Sequence, residues 1–204
     1  MKKLFPALLN NEMKKYLTTV LIALFIFAGC GNNSVSAQQP PNADGSKILV
    51  VYFSATGNTR TVAGHVANTL NATLHEIRPQ ILYTSADLDW RDSSSRSNME
   101  NSNASARPAI SGTVENIGSY DIIFIGYPIW FGQAPRIINT FLESYNFSGK
   151  TIIPFSTSGS SDMGSSATNL HRFTTNANWF SGNRFPGNAT RNAVVQWVNS
   201  LNLR

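Results

Sequence analysis

Three apolar runs constrain this chain more than anything else in it: Ile48–Phe53, Asp121–Gly126 and Thr151–Phe155. A strand with one wet face alternates apolar and polar residues. A strand covered on both faces need not, and these runs are nearly continuous. They therefore read as parallel strands sandwiched between helices. Helix-like stretches separate them: Arg60–Leu70, Pro135–Glu143 and Ser166–Thr174. A last helix, Ala189–Leu201, carries Val194, Trp197, Val198 and Leu201 on one stripe. Ala72–Ile77 reads as a second strand and Trp179–Phe185 as a short fifth one. The alternation predicts a three-layer α/β fold.

Each apolar run ends in a loop of unusual composition. The first is followed by Ser54-Ala55-Thr56-Gly57-Asn58-Thr59, directly before a helix. A buried strand that enters a hydroxyl-rich, Gly-containing turn and then a helix makes an anion site. The N–H groups of the turn and of the helix start converge there. Ser54, Thr56 and Thr59 add hydroxyls, and Gly57 permits a turn that a Cβ would hinder. Such a site holds a phosphate monoester without a lysine. A plain strand-to-helix turn capped by Asn58 or Thr59 would use the same residues. The nucleotide-triphosphate loop ending in Gly-Lys-Ser/Thr is absent, as is the dinucleotide fingerprint of three spaced glycines.

The second run leads into Gly126-Tyr127-Pro128-Ile129-Trp130-Phe131-Gly132. Three aromatics in five residues at a strand's carboxyl end suit a flat heteroaromatic ligand, with Trp130 or Tyr127 as the stacking ring. The competing reading has Tyr127 and Phe131 capping the core. The third run leads into Ser156-Thr157-Ser158-Gly159-Ser160-Ser161. Backbone groups of this loop would read the N and O atoms of a pyrimidine-like ring; a plain solvated loop is the competing reading.

With these three loops in view, the chain from Lys47 to Leu203 resembles the flavodoxin-like family, and within it a bacterial branch of flavodoxins and FMN reductases. The segment Tyr83–Arg96 resembles that branch too. The resemblance implies a five-stranded doubly wound parallel sheet and non-covalent FMN. Ser54, Ala55, Thr56, Gly57, Asn58 and Thr59 would hold the phosphate. Tyr127, Pro128, Ile129, Trp130, Phe131 and Gly132 would border the ring on one side, and Thr157, Ser158 and Gly159 on the other. Ligands of such sheets lie outside the carboxyl ends of the strands; flavodoxin is itself an example behind that rule, so it adds no independent prediction. Two departures stand out. The branch often has a Cys where this chain has Ser156, so no thiol acts there. Electron-shuttling flavodoxins are strongly acidic, and this domain is near neutral.

Composition explains that neutrality. The whole chain carries a formal +5, yet four of its sixteen basic residues and one of its eleven acidic ones lie in positions 1–30, leaving +2 for the rest. That balance implies no nucleic-acid surface. Positions 1–30 read as an export leader: Met13-Lys14-Lys15, an apolar run from Tyr16 to Ala28, then Phe27-Ala28-Gly29-Cys30. Met13 is a plausible true start. The run is too short for an ordinary membrane span. Its end resembles a bacterial lipobox with Phe27 in place of Leu, which makes Cys30 the lipidated residue of an exported, cell-envelope or periplasmic protein anchored to a membrane. Cleavage after Val35-Ser36-Ala37 is the alternative. Cys30 is the chain's one cysteine, so the domain has no disulfide and no cysteine metal site. Residues 31–46 read as a polar tether, and 47–204 as one domain.

Arg78–Gly118 is a long polar connection containing Tyr83, Trp90, Arg91 and Ser95-Arg96-Ser97, with a helix expected near Ser93–Asn101. A connection of this length carries function or disorder. His65, His75 and His171 read as surface or structural residues, and no metal-ligand spacing appears. The expected function is FMN-dependent electron transfer or oxidoreduction, with a redox protein or a quinone-type molecule as partner. No general acid or base is assigned. A nicotinamide-dependent quinone or flavin reductase is the enzymatic alternative; the export leader speaks against it. A non-redox binding module is the alternative from another class.

Overall fold

The structure is a computed structural model, and it describes residues 45–203. The expected leader, Cys30 and nearly all of the expected tether lie outside the described residues. Among the described residues no helix is long and apolar enough to cross a membrane. In chain order the elements are β1 (Ile48–Tyr52), α1 (Asn58–Leu70), β2 (Thr73–Glu76), β3 (Arg78–Pro79), α2 (Arg96–Ser102), β4 (Ile110–Ser111), β5 (Ile122–Pro128), α3 (Arg136–Glu143), β6 (Thr151–Ser158), β7 (Asn178–Trp179), β8 (Asn183–Pro186) and α4 (Arg191–Ser200). Short 3-10 turns occupy Ile117–Ser119 and Thr168–Phe173.

The main sheet runs β2-β1-β5-β6, all parallel, and β7 and β8 share the fifth position beside β6. The three apolar runs form its three central strands. Side chains alternate across the sheet, so each run feeds two cores. Leu49, Val51, Phe53, Ile123, Ile125 and Ile152 point to one face, where Ile137, Ile138, Phe141 and Leu142 of α3 cover them. Val50, Tyr52, Ile122, Phe124, Ile153 and Phe155 point to the other, under Val62, Ala63 and Val66 of α1 and Val194 and Val198 of α4. A fully buried Ile or Phe side chain contributes about 1.5–3 kcal/mol. Apolar runs with that much to gain fix the layer order whatever the loops do.

The expected single fifth strand is two pieces, and Pro154 supplies a reason. Ile152 accepts a hydrogen bond from Phe180 N–H at 2.9 Å. Residues two apart on a strand address the same neighbour, so Pro154 faces the fifth position with no N–H to offer. There the partner chain breaks at Gly182, where a Cβ would sit 2.2 Å from the Pro154 carbonyl oxygen. The expected helix Ser166–Thr174 is also shorter, a 3-10 turn over Thr168–Phe173. Its Ser, Thr and Asn side chains compete for backbone groups: Thr168 Oγ1 donates to the Ser165 carbonyl at 3.0 Å.

The strand order reverses between β1 and β5. The chain goes out to β2, then returns to the other side of β1. That switch point opens a crevice at the carboxyl ends. The loops after β1 and β5 border it, and the 78–118 connection, pinned by the short β3–β4 pair, leaves beside it.

Candidate functional site

The first loop is a helix start left open. Gly57 precedes α1 with φ 91°, a left-handed value that favours glycine, and no side chain caps the helix. Cap-capable residues surround it, and Ser54 and Thr59 are engaged elsewhere, while Thr56 lines the adjoining cavity. Ser54 Oγ accepts from Gly57 N–H at 3.1 Å. The Thr59 hydroxyl is buried and shares a 2.8 Å hydrogen bond with the Thr157 hydroxyl. The Asn58 amide lies against Gly187, where a Cβ would come within 2.9 Å of its Nδ2. Among the described residues, no acceptor bonds the N–H groups of Thr56, Asn58, Thr59 or Arg60. Four unmet donors at one helix start favour an anion. The expected Thr59 hydroxyl is thus already bonded to Thr157, and Thr59 also offers its backbone N–H. Arg60 is also engaged, donating to Glu76 Oε1 at 2.5 Å and to Tyr52 Oη at 3.3 Å.

The second loop separates its three aromatics. β5 runs two residues beyond its apolar stretch, so Tyr127 is still a strand residue. Its side chain is 0% exposed, and its hydroxyl shares a 3.1 Å bond with Ser166 Oγ. Burial pushes the phenol up to about 12, against the Ser166 bond, which works the other way. Tyr127 is thus a floor residue and not a stacking ring, which corrects one of the two stacking candidates. Trp130 and Phe131 lie beyond the strand: Trp130 is partly buried against the core, and Phe131 is exposed. Trp130 and Gln133 exchange two backbone hydrogen bonds of 2.9 Å across a two-residue turn, with Phe131 at φ 51° and Gly132 at φ 74°. Two positive φ values define a turn that ordinarily takes Asn-Gly.

The third loop is tied to both others through Thr157. Its hydroxyl meets Thr59, and its carbonyl accepts from Ile129 N–H at 2.8 Å. Ser158 Oγ donates to the Ser161 carbonyl and accepts from Arg184 Nε at 2.9 Å. Arg184 of β8, absent from the sequence-based candidates, is therefore the clamp of this loop. Gly159 has open space where a Cβ would stand. Neighbouring Ser156 is fully buried, and its hydroxyl has no partner among the described residues.

A cavity of about 410 Å³ joins these parts. Thr56 lines it from the first loop, Trp130 and Phe131 from the second, and Leu88, Trp90 and Ser97 from the long connection. No third-loop residue lines it. Another hollow, of about 510 Å³, lies by Lys47, Asn71 and Tyr120, at the opposite ends of the strands.

The 78–118 connection is anchored to the crevice by side chains. Phe53, Tyr83 and Trp130 form a triangle with centroid separations of 5.6, 5.5 and 5.2 Å. The Tyr83 hydroxyl donates to Glu100 Oε2 at 2.6 Å, and Arg96 binds Glu100 Oε1 at 2.7 Å with its guanidinium 3.9 Å from the Tyr83 ring centre. Burial first, then the Glu100 carboxylate, holds the Tyr83 phenol far above its usual range. The expected helix here begins at Arg96 rather than Ser93, after Ser95 as cap. Among the described residues no group of acids, histidines or cysteines is arranged to hold a metal.

A family model described as flavodoxin matches residues 47–201. The chain belongs to the flavodoxin family. Its strand order is the flavodoxin-like one, with the first loop at the switch point. A crystal structure of a candidate flavoprotein from Bacteroides eggerthii is 46% identical, with a TM-score of 0.72 over 78% of this chain and 99% of that one. Another, from Bacteroides uniformis, is 47% identical at the same TM-score, over 76% and 98%. A Lactobacillus acidophilus flavoprotein in complex with FMN is 21% identical, with a TM-score of 0.55 over 68% and 93%, and shares the flavodoxin fold. No curated protein matches significantly.

Proposed function

We propose that this flavodoxin binds FMN non-covalently and transfers electrons from the cell envelope, tethered by a lipid on Cys30. The open start of α1 carries the reading. Its four unmet N–H groups suit a phosphate monoester, with no lysine or free arginine needed. The ring end fits as well: Trp130, partly exposed, lines the cavity with Thr56, and the third loop is tied in beside it, the Thr157 carbonyl accepting from Ile129 N–H at 2.8 Å. Family membership supports the same cofactor, as does the FMN complex of the Lactobacillus acidophilus relative for the fold. Bound FMN supplies one- and two-electron redox chemistry, and the protein supplies binding, orientation and tuning. Arg184, fixed to Ser158, is the cation nearest that backbone edge in the bonding pattern. The partner is a redox protein or a quinone-type molecule, in keeping with an exported location, where nicotinamide donors are scarce. Titrating the full chain with FMN tests the core of the proposal. Flavin fluorescence should quench to saturation near one equivalent. No change at micromolar protein would contradict it and favour a non-redox binding module.

A further inference from the structure

Three arginines gather beside α3 with one carboxylate bonded among them. Arg107 and Arg172 hold their guanidiniums over the same ring, Phe173, at 5.4 and 4.8 Å from its centre. Arg136, the first residue of α3, donates to the Glu100 and Asn101 carbonyls at 3.3 and 2.8 Å. Burial first, and then the charges of Arg172 and Arg107, lower its pKa. Among the described residues, the carboxylate bonded to this group is Glu143, which Arg107 grips at 2.6 and 2.8 Å. The Glu100 carboxylate is taken by Arg96 and Tyr83. Arg172 is exposed and makes no hydrogen bond among the described residues. Donors are in excess on the inner side too. Asn139, on the α3 stripe between Arg136 and Glu143, is 2% exposed, with Nδ2 unbonded among the described residues. Like charges held together with too few counterions repel one another, and an incoming anion relieves them.

We propose that this face docks a partner protein through an acidic segment, with Arg172 as the arm that takes a carboxylate and Arg107 and Arg136 as fixed charges beside it. A planar guanidinium with its N–H groups unbonded can meet a carboxylate through two parallel hydrogen bonds. Arg107 and Arg136 are already oriented by their own bonds, so they add charge at little cost in order. A hollow of about 520 Å³ opens next to Arg172, lined also by Phe173, Glu143, Tyr145 and Thr175. Side chains of a peptide can enter a hollow of that size, whereas a flat membrane surface cannot follow it. The rest of the domain is near neutral, so the attraction is local. Arg136 begins α3 soon after the turn of the second loop, which puts a docked partner beside the crevice. The proposal concerns the partner's charge and stands whether or not the crevice holds FMN.

The test follows the anisotropy of a fluorescein-labelled octaglutamate peptide titrated with the full chain at about 20 mM salt, where charge is weakly screened. Saturable binding is expected. Arg172→Gln should weaken it at least about fivefold. The same variant should change the melting temperature by at most about 2 °C, since only a cation–ring contact is lost. Glu143→Gln, which frees Arg107, should tighten binding by about twofold or more. Arg191→Gln loses the same charge at the start of α4, across the sheet, and should change affinity by less than about twofold. The lysines of positions 1–30 are common to every variant and cancel in these comparisons. Absence of saturable binding would overturn the proposal. Equal losses in Arg172→Gln and Arg191→Gln would also overturn it, by reducing the attraction to net charge. Phosphatidylglycerol vesicles that lose affinity in Arg172→Gln, while octaglutamate does not, would assign the face to a membrane instead.

Discussion

The first loop and the long connection meet at one cavity by opposite means. At the first loop, the Ser54 and Thr59 hydroxyls are bonded within the protein, and backbone donors at the start of α1 stay unmet. In the connection, Tyr83, Arg96 and Glu100 bond one another and Asp87 and Asn98 find partners within the same segment, while apolar Trp90, like Ile81 and Leu82, is left exposed. Unmet donors select an anion. A satisfied polar network that holds up an exposed ring selects flat apolar surface. Which groups a site leaves unbonded says more about its ligand than which groups it contains.

Gly126 underlies both regions, and its replacement should break them together with the largest effect. A Cβ there would lie 2.2 Å from Phe155 Cζ, and that ring is fully buried beside Trp197. Gly126→Ala should cost about 3 kcal/mol in urea unfolding, with affinity for every ligand reduced; a loss under about 1 kcal/mol would mean the ring moves aside freely. Tyr83→Phe should separate the regions. It removes the hydroxyl from Glu100, which keeps Arg96, at about 1.5 kcal/mol. Riboflavin affinity should fall while the ratio of FMN to riboflavin affinity, which reads the first loop alone, stays constant. A changed ratio would show that the two regions act as one.

Ser156 lies between them, its hydroxyl buried without a partner among the described residues. Ser156→Ala should leave stability unchanged or raise it by up to about 1 kcal/mol. A clear loss by thermal melting would reveal a bond that the geometry does not show. The smallest effects are in pH. Burial lowers the His75 pKa from 6.5, against the raising influence of Glu76. The folded state thus favours neutral His75, and its contribution is present above 6.5 and lost as pH falls below it. Near the connection, the hydrogen bond from Arg107 lowers the Glu143 pKa from 4.5. Its contribution is present above 4.5 and lost only as pH falls further. His75→Gln should therefore flatten melting temperature against pH below 6.5, and Glu143→Gln only below 4.5. An effect of Glu143→Gln that begins above 4.5, or of His75→Gln that begins above 6.5, would contradict the assignment.

The sequence reveals the sheet well because its signal is collective. Runs such as Ile48–Phe53 and Thr151–Phe155 must be covered on both faces, and the layers follow. The first loop is legible for a related reason: Gly57 between hydroxyl residues at a strand-helix joint has few uses. Single side chains are harder. Tyr127 and Trp130 look alike as aromatics of one loop. Only the two-residue extension of β5 buries Tyr127, while Trp130 beyond it is partly buried and lines the cavity. The long connection is least legible, because side-chain bonds such as Asn98 to Trp90 and Arg96 to Glu100 over Tyr83 follow no period. Arg184 escapes notice for the same reason, since its role comes from pairing across to Ser158.

The most direct measurement is a side-by-side titration of the full chain with FMN and with riboflavin, which keeps the ring and lacks the phosphate. If the unmet donors of the first loop bind the phosphate, FMN should bind at least about 100-fold tighter, less than 3 kcal/mol and within reach of two charge-assisted hydrogen bonds. Equal affinities would mean that the start of α1 holds no anion, and the division of labour across the cavity would fall.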